Sequence, residues 1–124
     1  MDDCIFCKII KGEIPSKKVY EDDNVIAILD ISPKVNGHTL VIPKKHASDL
    51  ICMDDSDIIN VNNATKKLIA RYMNKLNVRG ITCGVNYGDS QEVKHYHMHI
   101  LPNYLLGKEE IVDVNVIYDK IKED

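Results

Sequence analysis

The chain has no apolar run approaching the roughly 20 residues that a membrane-spanning helix needs, and no basic segment leading into an apolar one at its N-terminus. Membrane insertion and export are therefore not expected, and a cytoplasmic location is the default. It also lacks a charge surplus. With 16 Lys and Arg against 19 Asp and Glu, the formal net charge is -3, which offers no general attraction to nucleic acid or anionic lipid. No internal repeat or low-complexity segment divides the sequence. Cysteine is sparse, and no second Cys-x-x-Cys and no His-x-x-x-His accompanies Cys4 and Cys7. Four cysteines allow two disulfides in principle. Without an export signal, a Cys-x-x-Cys pair more often binds metal or does redox chemistry.

What remains is an ordinary soluble balance, 44% hydrophobic and 28% charged over 124 residues, suited to one domain spanning 1–124 with a normal core. Residues 4–11 read as a short helix stopped near Gly12. Lys18–Glu21 and Val25–Asp30 read as strands joined by Asp22-Asp23-Asn24, the second apolar enough to be covered on both faces. His38–Ile42 reads as a third strand closed by Pro43. Residues 54–77 carry a helical period through Ile58, Val61, Leu68, Ile69, Tyr72, Met73 and Leu76. Arg79-Gly80 breaks that pattern before a fourth strand, Ile81–Tyr87. The tail from 104 to 124 is equivocal between a strand over 111–117 and a helix over 116–122. The sum is an α+β domain, a mostly antiparallel sheet of about five strands with one main helix.

The most informative stretch is His95-Tyr96-His97-Met98-His99-Ile100-Leu101-Pro102. In an extended chain residues i, i+2 and i+4 share a face, so the three histidines would line one side while Tyr96, Met98 and Ile100 pack on the other. Three imidazoles on one face suit metal binding, nucleophilic catalysis, or both. Cys4 and Cys7, three apart on a helix, form a two-thiolate clamp that suits zinc, which takes tetrahedral sulfur and nitrogen ligands. A redox dithiol and two buried small apolar residues are the alternatives; the absence of a surrounding βαβ pattern weakens the first. Cys52 and Cys83 have no partner motif and are expected to be buried.

The histidine run resembles the signature of the histidine triad (HIT) superfamily. Cys4-Ile-Phe-Cys7, Val25 to Pro33 and Gly37-His38-Thr39-Leu40-Val41-Ile42-Pro43-Lys44-Lys45-His46 resemble its Hint-like branch, a match over about 4–103. The resemblance implies a HIT-like fold whose five-stranded sheet extends across a homodimer. It implies a structural zinc on Cys4, Cys7, His46 and His95. His97 would be the nucleophile, its free ring nitrogen attacking the α-phosphorus of a nucleoside 5′-monophosphate derivative while the other nitrogen donates to a backbone carbonyl. His99 would steady the phosphate, and His38 would add a fourth imidazole to the catalytic set of His95, His97 and His99; a histidine starting a surface strand is the plain alternative for His38. Asp30 and Ile31 would hold ribose and base, although Asp30 alone would read as a cap. Asn86, Gln91 and Glu92 would complete the nucleotide-binding set with His97 and His99.

The implied activity is hydrolysis of purine nucleoside 5′-phosphoramidates of the adenosine 5′-monophosphoramidate type. A dinucleoside polyphosphate hydrolase, a regulatory nucleotide-binding protein and an enzyme with an open zinc site are the alternatives. The sequence departs from the branch in two places. Ser90 and Glu92 stand where the family's phosphate loop has glycine and serine, in a loop about two residues shorter. The tail is long and contains no tryptophan. A carboxylate at 92 would repel phosphate if ionised, or protonate an amine leaving group if its pKa were raised.

Overall fold

The computed structural model describes residues 3–105 and 109–122. Its elements run α1 (Ile5–Ile10), β1 (Lys18–Glu21), β2 (Val25–Leu29), β3 (Thr39–Pro43), α2 (Asp55–Lys75), β4 (Val78–Gly84), β5 (Met98–Tyr104) and α3 (Val114–Ile121). The five strands form one sheet in the order β1-β2-β3-β5-β4, every neighbouring pair antiparallel. The α+β expectation holds.

The two central strands, β2 and β3, are buried along their whole length because each face meets its own core. Val25, Ala27 and Leu29 point to the larger cluster, with Val61, Leu68 and Tyr72 of α2 and Ile117 and Ile121 of α3. Ile26 and Ile28 point to a smaller one with Leu40, Ile42 and Phe6 and Ile9 of α1. Two-faced burial is what a continuous apolar strand requires. The candidate site lies on the α1 side.

Local chemistry sets the element ends. Cys4 caps α1, its Sγ accepting from the Cys7 N–H at 3.3 Å, and Gly12 closes the helix at φ +83, a left-handed position that suits glycine. On α2, Tyr72 reaches through the core to the sheet, its hydroxyl 2.6 Å from Thr39 Oγ1. Thr39 Oγ1 in turn donates to Gly37 O at 2.7 Å, so Tyr72 is the donor of the first bond.

Several expectations need correction. β4 starts at Val78, because Arg79-Gly80 makes a register shift inside the strand rather than a break before it. β5 begins at Met98, so His95 and His97 lie in the lead-in; β3 pairs with only Met98, His99 and Ile100. It then runs through Pro102 to Tyr104. Proline is tolerated there because β3 begins only at Thr39, opposite Ile100, so β3 has no partner for an N–H at 102. Cys52 and Cys83 are both exposed, one in a surface turn, the other on β4, the sheet's outer strand with no neighbour beyond it. Met73 is 43% exposed, one step past Tyr72 and off the buried stripe. The tail resolves as helix, Val114–Ile121. No helix of the described residues is long and apolar enough to cross a membrane.

Candidate active site and metal centre

Two clusters adjoin on the α1 face. In the first, Sγ of Cys4 and Cys7 and Nδ1 of His46 and His95 all lie within 4.8 Å of one another. His95 Nδ1 is 3.3 Å from Cys4 Sγ, 3.5 Å from Cys7 Sγ and 3.1 Å from His46 Nδ1, and Cys7 Sγ is 3.3 Å from His46 Nδ1. His95 Nε2 lies 2.8 Å from Pro43 O, so it carries the proton and donates. That bond turns the bare Nδ1 lone pair inward. Burial pushes the Cys7 thiol up to about 11, and a cation would have to displace that proton. Tetrahedral zinc, with bonds of about 2.0–2.3 Å, sets its ligand atoms about 3.3–3.8 Å apart. The donor set and its spacing fit such an ion.

In the second cluster, hydrogen bonds fix the role of each ring nitrogen. His97 Nδ1 donates to His95 O at 2.9 Å, leaving Nε2 unprotonated, while burial holds the imidazole below its usual pKa. Phe6 packs edge-on against it at 5.0 Å between ring centres. His38 Nδ1 accepts from the Lys34 N–H at 3.2 Å, which puts its proton on Nε2. That nitrogen then donates to His99 Nδ1 at 2.9 Å. His99 is left with a proton on Nε2; Asn86 Nδ2 stands 3.3 Å from that nitrogen, and the amide accepts from it only when turned over so that its oxygen takes this place. Burial, with His97 and His38 adding to it, lowers His99 to about 4, and burial lowers His38 despite Asp30 Oδ2 at 3.7 Å. The face therefore offers one bare nitrogen and one N–H at neutral pH.

His97 and His99 line a cavity of about 450 Å³, together with the apolar Phe6, Ile9, Ile14 and Ile28 and the polar Asp30, His38, Asn86 and Glu92. An apolar slot beside a few converging polar groups is the usual form of a small-molecule site. A family model described as the HIT domain matches residues 11–105. The chain belongs to the HIT family. It is 43% identical to an uncharacterized HIT-like protein of Methanocaldococcus jannaschii, over 96% of this chain and 98% of that one. It is 41% identical to adenosine 5′-monophosphoramidase HNT1 of Saccharomyces cerevisiae, over 80% of this chain and 61% of that one. Among solved structures it is similar to a Zn-bound histidine triad family protein from Mycobacterium smegmatis, at 30% identity and TM-score 0.89, covering 98% of this chain and 91% of that one.

In this HIT protein, most of the expected site residues converge. Asp30 accepts from the Ser32 N–H through Oδ1 at 2.9 Å, and Ile31, 85% exposed, forms part of the cavity rim. Glu92 is solvent-exposed at the mouth, where its charge acts on His97. Two expected residues stand apart from the cavity. His95 faces the cysteines. Gln91 is 4% exposed, and its Nε2 donates to Ser48 O at 2.6 Å and Val93 O at 3.0 Å, so it braces the loop from behind. Sequence reasoning missed Phe6, the Lys34 N–H and the Pro43 carbonyl. Phe6 is the chain's only phenylalanine, set between the two cysteines; the two backbone groups leave no trace in side-chain pattern.

Proposed function

We propose that the protein hydrolyses purine nucleoside 5′-phosphoramidates of the adenosine 5′-monophosphoramidate type through a covalent nucleotidyl intermediate on His97. The observation that carries this reading is the hydrogen bond from His97 Nδ1 to His95 O, which leaves Nε2 as a neutral nucleophile facing the cavity. The Nε2 lone pair forms a bond to the α-phosphorus as the bond to the leaving nitrogen breaks, and the amine departs with a proton taken from solvent. Water then attacks the same phosphorus, returns a proton to solvent as the bond to Nε2 breaks, and releases the nucleoside monophosphate with His97 neutral again. The His99 N–H, oriented through His38 from the Lys34 backbone, donates to a phosphate oxygen as charge develops. The base packs on apolar residues that line the cavity, Phe6, Ile9, Ile14 and Ile28 among them, and the Asp30 carboxylate accepts from the ribose hydroxyls.

Cys4, Cys7, His46 and His95 would hold zinc as a closed structural site, which supplies rigidity rather than a reactive water. It would pin α1, and so Phe6, against His97. A homodimer fits the sheet, because β4 leaves an outer edge that a second copy can cover; sedimentation at micromolar concentration tests it. The deciding experiment is incubation with adenosine 5′-monophosphoramidate, comparing the native chain with His97→Ala. Adenosine monophosphate release with the native chain alone, and a trapped adduct on residue 97, is the expected result. Activity surviving in the variant overturns the mechanism. Faster turnover of diadenosine triphosphate at equal enzyme would instead make it a dinucleoside polyphosphate hydrolase.

A further inference from the structure

The loop from Asp30 to His38 carries three pieces of the site: the Asp30 carboxylate, the Ile31 rim and the Lys34 N–H that fixes His38. It is closed at its base by the Asp30 N–H donating to His38 O at 2.9 Å. Its far end is held by something else. Asn36 is 5% exposed, and its side chain is bound on both sides by the C-terminal segment. Its Nδ2 donates to Glu110 O at 2.9 Å and its Oδ1 accepts from the Val112 N–H at 2.9 Å. An amide that donates and accepts in this way copies one rung of a sheet ladder. The Asn36 carbonyl accepts in turn from the Tyr104 hydroxyl at 2.5 Å. Next to it, Gly37 sits at φ +88 with Pro102 Cγ only 3.1 Å from where a Cβ would stand, so the crest of the loop is pressed against the end of β5.

We infer that Asn36 is a positioning residue and that the segment around 110–112 is a strap, which together hold the Asp30–His38 loop in its nucleotide-binding shape. This rests on the proposed use of the cavity for a nucleotide. Asn36 lies two residues from Lys34 and two from His38. A loop released at Asn36 loses the fixed direction of the Lys34 N–H, and with it the hydrogen-bond sequence through His38 to His99. The strap is therefore a second support for the site, reached from behind the loop rather than from within the cavity.

The test uses the full chain with two single variants approached from opposite sides of the clamp, Asn36→Ala and Val112→Pro, and their double. Proline at 112 removes the N–H that Asn36 accepts, at a position 41% exposed and outside any helix or strand. Should one variant fail to fold, the other still reads the clamp. In each folded variant the Kd for adenosine monophosphate and the KM for the phosphoramidate should rise about tenfold, the equivalent of about 1.4 kcal/mol. The turnover number should change less than KM, and the double should be no worse than the poorer single. Nitrogen-15 NMR should show His38 as one tautomer, with a bare Nδ1, in the native chain and as a mixture in the variants. A Kd and KM within twofold of native in a folded variant overturns the inference, even if its melting point drops. A native chain that binds no adenosine monophosphate overturns the nucleotide reading instead, and the His38 tautomer then decides the clamp alone.

Discussion

Removing zinc from the proposed Cys4, Cys7, His46 and His95 site should loosen the protein before it touches the chemistry. The perturbation is a strong chelator, or Cys7→Ser. Without a cation, His46 Nδ1 and His95 Nδ1 face each other at 3.1 Å beside two thiols, so the cluster trades four ligand bonds for weak or shared-proton contacts. An ion that binds only the folded chain stabilises it by about 2.7 kcal/mol when free zinc is one hundred times its Kd. For 124 residues, an unfolding entropy of about 2.1 cal/mol/K per residue gives about 260 cal/mol/K in total, so the loss corresponds to a fall in Tm of about 10 °C. Calorimetry with and without chelator, alongside zinc content per chain, measures it. Phe6 follows Cys4 by two residues and packs on His97, so turnover below the new Tm should fall by only a few-fold and return with zinc. Complete, zinc-reversible loss of turnover in a still-folded chain would refute the argument and make the ion catalytic. An unchanged Tm on removal of one bound zinc would refute it from the other side.

Acid should weaken the fold over a defined window. His99 is held down to about 4 from 6.5, so the unfolded chain binds the extra proton first; stability is complete above about pH 6.5 and falls as pH drops to 4, by about 1 kcal/mol once the partial exposure of the ring is allowed for, which urea melts at stepped pH will show. Asp30→Asn should raise KM for the phosphoramidate about tenfold or more with little change in the turnover number, because the carboxylate proposed to accept two ribose hydroxyls becomes a group with a single acceptor oxygen; an unchanged KM places the ribose elsewhere. Glu92→Gln should lower KM for substrates with anionic leaving groups more than for those with amine leaving groups, since the carboxylate stands exposed at the mouth; equal effects on both would remove Glu92 from leaving-group selection. Phe6→Ala should cost about 3–5 kcal/mol of stability, as it empties the smaller core, and a cost below about 1 kcal/mol in a denaturant melt would mean that α1 is not docked through it.

The sheet and main helix were legible because their signals are local. Val25 to Leu29 is apolar without a break, and α2 repeats with a 3.6 period, so both announce their surroundings in the sequence. Arg79-Gly80 misled for a physical reason. Glycine marks either an end or a bulge, and only the partner strand decides between them. Pro102 carries the same ambiguity, since whether proline ends a strand depends on whether a neighbour still wants its N–H. The exposure of Cys83 depended on strand order, which no local pattern encodes.

The site divides along the same line. Alternation at 95, 97 and 99 was readable, because Tyr96, Met98 and Ile100 do turn to the α2 core. What distinguishes the three imidazoles was not readable, because each is set by a backbone group from elsewhere. Pro43 O takes the His95 Nε2 proton and turns Nδ1 toward the cysteines. The His95 carbonyl takes the His97 Nδ1 proton and bares Nε2. The Lys34 N–H, acting through His38, puts the His99 proton on Nε2. One residue type repeated on one face thus yields three different presentations, the proposed ligand, nucleophile and donor, and the choice among them is made by two carbonyls and one amide. Replacing any of the three histidines removes a side chain; taking the Lys34 N–H away from His38 would leave all three imidazoles in place and still release His99 from its single role as donor.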